Sequence, residues 1–402
     1  MGGAIYLAIT LISLPALSPA EGACTSFYLD NGGNPVFGAN YDHEIWEGYL
    51  FVNKRGVTKT GYEAGTSGKY ARWTAEYGSV TFNLAGVQLA WAGMNEAGLV
   101  ISTMWLGETR SPAPDERPPL VSPFWVQYQL DTCATIEDVM ANETRVRIAD
   151  AVDHYLICDQ TGTCAAVEFL EGKTVFYTGE AMPVNALANN PYQIQAEAWQ
   201  TGQLPERERF RIAADRVASF KTTDTSSAVT YAFETLKRLS GQVLDSTPTQ
   251  WSIVFDPKNM FVYFRTSRNP EIRSIDFAKL DFDCGTPVEM LDVHAPYSGD
   301  INDRLGQFTF EANLQYTLNY LEKLGGTDIS ALEVEVLERG VTSFPCERPA
   351  APYQEEKNLL ISPKISWAAM ALIHRLWPIG IVLVTGIVAL VVWRVRTRRR
   401  HE

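Results

Sequence analysis

Cys24 opens the run CTSFYL, a few residues after an apolar leader, and the turn DNGGN and the run PVFGANYD follow it. A thiolate is a strong nucleophile, but a base must form it. The chain has five histidines, and none stands in a recognisable pairing with Cys24. His43 closes the second strand of the same hairpin, while His374 and His401 lie beside a membrane-like segment and in the tail. A cut just before Cys24 removes the need for histidine. The new α-amine has a reference pKa of about 7.7–8.0 and can take the thiol proton directly or through a water. Removal of a leader after Ala20 would leave Glu21-Gly22-Ala23, and those small residues hinder a further cut very little. The competing reading is a disulfide. Six cysteines is an even number, so three bridges including Cys24 are equally open. A free Cys24 leaves five others, at least one of them unpaired.

The bulk composition narrows the partners. Of 402 residues, 46% are hydrophobic and 20% charged, enough to build a core. The formal net charge of −13 argues against nucleic acid, which needs a basic face. Gly32-Gly33 reads as a hairpin turn, not a phosphate loop. Cys158 and Cys164 flank the turn DQTGT and can bridge across a hairpin. No further Cys or His follows at zinc-ligand spacing. Neither a metal nor an organic cofactor is expected.

Both ends carry targeting signals. Residues 4–17 form an apolar run of signal-peptide length, and Ser18-Pro19-Ala20 supplies small residues for cleavage. Glu21 stands where a lipoprotein signal wants an apolar residue. Leu376 to Trp393 is free of charge and, at about 1.5 Å per residue, just spans a hydrocarbon core. The arginine-rich tail RVRTRRR follows, whereas only Lys364 and Arg375 lie close on the other side. The positive-inside bias puts the tail in the cytoplasm and the main body outside, periplasmic or extracellular, with Trp377 and Trp393 as interface anchors.

Between the ends the chain reads as strands grouped in hairpins with helices between them. SVTFNL and VQLAWAGM form a second hairpin, and GLVISTMWL is a strand after the turn Asn95–Gly98. PFWVQYQLD has helical spacing, and Thr135 caps TIEDVMAN with Asp138 three residues on. HYLICDQTGTCAAVEFLEGKTVFYTG gives three strands. Residues 206–239 give two helices, and WSIVFDPKNMFVYFRT is a hairpin turned at Asp256–Asn259. This pattern implies an α+β fold of stacked antiparallel sheets with helices outside. The expected organisation is 1–23 signal and short propeptide, 24–286 catalytic domain, 287–343 helical extension, 344–375 linker, 376–393 transmembrane helix and 394–402 basic tail.

The fragments CTSF, GANYD, WAGMNEAGLVIS, DTCATIEDV, ANNP, ERF and WSIVFDPKNMFVYFRTSRNPEIRSIDF occur in that order over residues 24–280. Together they resemble the choloylglycine hydrolase and penicillin V acylase family of linear-amide hydrolases, whose nucleophile is an N-terminal cysteine. The resemblance implies a four-layer αββα sandwich that hydrolyses the amide C–N bond of a small N-acyl compound. It aligns Cys24 with the nucleophile and Asp42 with the carboxylate that holds the α-amine. Asn189 aligns with the oxyanion-hole asparagine and Arg209 with the arginine of the catalytic network. Trp105 falls where a second oxyanion donor sits, supplied by a backbone N–H, and its ring reads as a wall of the substrate pocket. One position departs from the pattern: Ala39 stands where the family carries an arginine beside the thiolate. Acyl transfer to another amine, and an inactive membrane-anchored binding ectodomain, are the competing readings. Homo-oligomers are common in the family and are expected as an option here.

Overall fold

The computed structural model describes residues 24–31, 33–61, 71–222, 224–244, 247–323 and 345–346. All belong to the first of the chain's two compact units, Met1–Pro349.

The first hairpin forms where alternation places it: β1 (Thr25–Leu29) pairs antiparallel with β2 (Val36–Asp42). β3 (Tyr49–Asn53) follows, then a small ribbon of β4 (Thr58–Thr60) and β5 (Arg72–Thr74). β6 (Ser79–Asn83), β7 (Ala90–Asn95) and β8 (Val100–Trp105) make a meander. Its second turn uses Gly98 at φ +79° and Asn95, whose side-chain oxygen accepts the N–H groups of Ala97 and Leu99.

A short parallel bridge joins β9 (Pro119–Leu120) to β10 (Arg147–Ile148). Between them lie α1 (Ser122–Thr132) and α2 (Ile136–Asn142), the second opened by the Thr135/Asp138 capping box. β11 (Asp153–Cys158), β12 (Cys164–Leu170) and β13 (Lys173–Thr178) then run antiparallel, and a Cys158–Cys164 disulfide clips their first turn. After β14 (Ala186–Leu187) come α3 (Tyr192–Gln200), α4 (Arg209–Ala218), α5 (Thr225–Leu239) and α6 (Gly241–Leu244). β15 (Thr249–Asp256), β16 (Phe261–Thr266) and β17 (Arg273–Asp276) follow. β18 (Glu289–Asp292), β19 (Gly299–Asp300), β20 (Gly306–Gln307) and α7 (Phe310–Lys323) complete the described chain.

Two large sheets result. One has seven strands in the order β14-β1-β2-β15-β16-β17-β19, the other nine in the order β13-β12-β11-β8-β7-β6-β3-β18-β20. Their inner faces meet through aromatic rings. Phe82 of β6 lies 5.2 Å from Phe264 of β16, and Tyr41 of β2 lies 5.3 Å from Trp91 of β7. Each ring buried there stabilises the sandwich by roughly 1.5–3 kcal/mol. Helices α4 and α5 cover the outer face of the first sheet, against β1, β2 and β15. α1 covers the outer face of the second, against β7 and β8. The layers are helix, sheet, sheet, helix.

One segment read from the sequence differs in the structure. The segment expected to be a helical extension from residue 287 begins with strands: β18 pairs with β3, and β20 pairs with β18, so both extend the nine-stranded sheet. Within it, among the described residues, only Phe310–Lys323 is α-helical, with a single 3-10 turn at Asn302–Arg304 before it. An open sheet edge took the segment, which local spacing does not report. Two residues of the linker expected from 344 are described, and both are tied to the folded body. Pro345 accepts a hydrogen bond from the Thr58 N–H, and Cys346 is bridged to Cys284. Among the described residues no helix is long and apolar enough to cross a membrane. The leader, residues 1–23, and the expected span at 376–393 lie outside the described residues.

Candidate active site

The β1–β2 hairpin decides what surrounds Cys24. In the antiparallel register Thr25 faces Asn40, so the preceding pair is Cys24 with Tyr41, and cross-strand partners share a face. That face is the inner one: Ser26 reaches Met104 of the opposite sheet, and Tyr41 stacks on Trp251 at 4.3 Å. Asp42 is the next residue of β2 and points outward, toward α4. β14 flanks β1 on its other edge, with Ser26 opposite Leu187. The same register carried two residues further sets Asn189 across from Cys24.

Cys24 is 5% exposed, and it and the fully buried Cys133 are free, while Cys158–Cys164 and Cys284–Cys346 are bridged. Its Sγ lies 3.8 Å from the Asp42 carbonyl oxygen. Burial is the main force pushing the Cys24 thiol up from its ordinary range, and the Asp42 carboxylate adds to it. The charge of Arg209 pulls the other way. Burial likewise raises the Asp42 carboxyl, to about 7, against the opposing effects of the Thr249 hydroxyl and Arg209. Thr249 donates to Asp42 Oδ1. Asp42 Oδ2 is buried with no hydrogen-bond partner among the described residues, and Arg209 stands 4.0 Å from it. Arg209 is the first residue of α4, and Glu208 caps that helix by accepting the Arg211 N–H.

Asn189 and Trp105 come together. Asn189 Nδ2 donates to the Trp105 carbonyl at 2.9 Å. The Leu106 N–H bonds to Val152, so antiparallel alternation turns the backbone groups of Trp105 away from β11, toward Asn189. Trp105 thus supplies its carbonyl to orient an amide. An amide nitrogen carries two N–H groups, and a second one remains for another acceptor. Each histidine near the hairpin is otherwise engaged. His43 Nδ1 accepts the Ile45 N–H, His154 pairs with Glu168, and His294 bonds to Thr266 and to the Trp46 carbonyl. None is among the groups that shift the Cys24 thiol.

Ala39, fully buried, packs on the inner face between Ser26 and Ile253. In the described structure Arg209 is the cation that acts on Cys24. Three further residues belong to the site and were not anticipated. Thr249 begins β15 and carries no motif. Asp153, raised to about 7 by burial, adds its charge to the surroundings of Cys24 from β11. Tyr320 of α7 also lies in the electrostatic surroundings of Cys24 and Tyr41. Helical spacing in NLQYTLNYLEKL announces its helix but not where that helix docks.

Comparison with known proteins bears on the fold and the family. The family model for linear amide C–N hydrolases of the choloylglycine hydrolase family matches residues 24–201. Penicillin V acylase of Pectobacterium atrosepticum is 27% identical over 332 residues, covering 68% of this chain and 86% of that protein. The structure of penicillin V acylase from Agrobacterium tumefaciens superposes with a TM-score of 0.63 at 26% identity, over 71% of this chain and 98% of that one. A variant of conjugated bile acid hydrolase from Clostridium perfringens shares the fold, with a TM-score of 0.56 at 16% identity, over 67% of this chain and 96% of that one. Starting at the free cysteine of the first hairpin, residues 24–201 thus match the choloylglycine hydrolase family of linear amide C–N hydrolases.

Proposed function

We propose that the chain is an acylase that hydrolyses the amide bond of a small N-acyl compound through a thioester on Cys24, after a cut that leaves Cys24 as the first residue. The observation that carries this reading is a free Cys24 thiol beside Asp42, whose buried Oδ2 accepts no hydrogen bond among the described residues and has only the more distant Arg209 guanidinium at 4.0 Å. A buried carboxylate oxygen without a donor is costly, and an α-ammonium at Cys24 would satisfy it. The family match starts at Cys24 as well.

In this mechanism the α-amine takes the thiol proton, and the thiolate sulfur bonds to the amide carbonyl carbon. The remaining N–H of Asn189 holds the developing oxyanion, a contact that typically speeds such steps by about 10²–10³-fold. The ammonium then gives its proton to the leaving amine as the C–N bond breaks. Water, deprotonated by the same amine, releases the acyl group from sulfur. Arg209 offsets the charge of Asp42 and favours the thiolate. No metal or organic cofactor takes part. With Ala39 in place of the family arginine, thiolate formation leans on Arg209 and the α-amine alone.

The same proposal places the catalytic domain outside the cytoplasm, held by residues 376–393. Intact mass and N-terminal sequencing of the exported protein test the cut. A mature chain starting at Cys24, active on a labelled N-acyl amide and inactive as Cys24→Ala, is the expected result. Full activity in a chain that starts at Glu21 would rule out the α-amine as base.

A further inference from the structure

The Asn189 side chain is held at Trp105, and an anchor for its backbone lies three residues on. Tyr192 opens α3, and its N–H, which has no partner within the helix, donates to Glu168 Oε1 at 2.8 Å. The same oxygen lies 2.9 Å from His154 Nδ1, and in the tautomer with its proton there the ring donates to it. Both side chains are fully buried. His154 lies opposite Met104, whose sulfur accepts the Ser26 hydroxyl from the other sheet, so the pair stands on the inner face of the nine-stranded sheet.

The sheet order turns this contact into a constraint on length. β12, β11 and β8 are neighbours. Asn189 is tied to Trp105 at the end of β8, and Tyr192 to Glu168 on β12, with His154 on β11 between them. Two strand spacings are about 9.6 Å. Three residue steps reach about 10–11 Å at most. Pro191, between the anchors, is buried, and its ring fixes φ. The stretch from Asn189 to Tyr192 thus crosses β11 with little slack, and moving one end moves the other.

Stability does not account for the pair. Its neighbours on that face, Met104, Leu156 and Ala166, are apolar and fully buried. His154 Nε2 and Glu168 Oε2 have no hydrogen-bond partner among the described residues. Burying an acid and a base in such a place costs desolvation that their attraction does not reliably return, and apolar residues of similar volume are often as stable. Apolar residues cannot accept the Tyr192 N–H.

We infer that Glu168, oriented by His154, is a positioning residue: by fixing the first N–H of α3 it holds Asn189 where the oxyanion forms. The inference rests on Asn189 being the oxyanion donor of the reaction proposed above. Neither Glu168 nor His154 is among the groups that act on the Cys24 thiol, so both work only through the segment that begins at Asn189.

The test reads kcat and KM of the mature chain, starting at Cys24, on a series of N-acyl p-nitroanilides, with the fastest member used throughout. Asn189→Ala should lower kcat about 10²–10³-fold. Glu168→Leu should lower kcat by about ten- to a hundred-fold and leave KM within about two-fold, because a transition-state contact is displaced. Glu168→Gln, which offers the same oxygen to both donors, should recover kcat to within about three-fold of the unaltered chain. In the Asn189→Ala chain, Glu168→Leu should cost nothing further, since both changes remove one interaction. Pro191→Gly leaves every Glu168 contact in place and loosens the link. It should lower kcat only where Asn189 is present, and it carries the comparison if Glu168→Leu does not fold. Equal losses with and without Asn189 overturn the inference. So does an unchanged kcat in Glu168→Leu or, in its place, Pro191→Gly, and so does a Glu168→Gln chain as slow as Glu168→Leu. Full kcat in Asn189→Ala, or no turnover of any anilide by the unaltered chain, counts against the proposed reaction itself and takes the inference with it.

Discussion

At the scale of single residues, Asp42 is where stability and the proposed chemistry oppose each other. Its carboxyl, ordinarily near 3.8, titrates at about 7 because it is buried. Between those values the folded uncut chain holds a proton that the unfolded chain has released. Its stability therefore falls as pH rises through this window, by roughly 4 kcal/mol in all if Asp42 acts alone. Asp42→Asn keeps an oxygen for the Thr249 hydroxyl and removes the titration. In the uncut Cys24→Ala chain, the gain in denaturation midpoint from Asp42→Asn should be larger at pH 8 than at pH 4. Asp153, also raised to about 7, leaves a common slope in both proteins, so the difference between them is the quantity to read. In the cut, active protein the same change should abolish hydrolysis. An equal midpoint shift at both pH values would show that Asp42 is not held protonated by burial.

At the scale of elements, the β1–β2 hairpin brings Cys24, Tyr41 and Asp42 together, and its fit depends on one small residue. Gly38 lies opposite Phe27, and a β-carbon at position 38 would come within 2.4 Å of the Phe27 ring. Phe27 is fully buried against the helix layer and has little room to yield. Gly38→Ala should destabilise the protein by about 1–3 kcal/mol, the usual range for overpacking. It should also lower activity by shifting the strand that carries Asp42. Equilibrium denaturation of the variant checks this, and an unchanged midpoint would mean that the hairpin gives way cheaply. The strands, their turns and the Thr135 cap follow from two-residue alternation, turn residues and a capping box, all local signals. β18 and β20 escaped that reading because short edge strands are recruited by a partner rather than by their own pattern.

At the scale of the whole molecule, the Cys284–Cys346 disulfide closes a loop across 62 positions and ties residue 346 back beside β4. In the chain-entropy picture such a loop stabilises by about 4 kcal/mol. Cys346→Ala should lower the midpoint accordingly and leave the environment of Cys24 intact, so kcat measured below the transition should hold. A parallel fall in kcat would show that this clip also positions the site, with α7 as the connecting element.

From the sequence by itself came Cys24 as a nucleophile candidate with no recognisable histidine pairing, the hairpins and most helices. Those are properties of neighbours along the chain, or of which residue types are present at all. It also pointed to Asp42, Asn189, Arg209 and Trp105, but only through their order in a family pattern. Tertiary structure alone decided that β14 lies beside β1 two residues before Asn189, that Trp105 offers its carbonyl to Asn189, and that Thr249 sits on Asp42 from 207 positions away. It also decided that Tyr320 arrives from α7. Strand register and helix docking are chosen by burial summed over two whole sheets, and that sum is not written in any short stretch of residues.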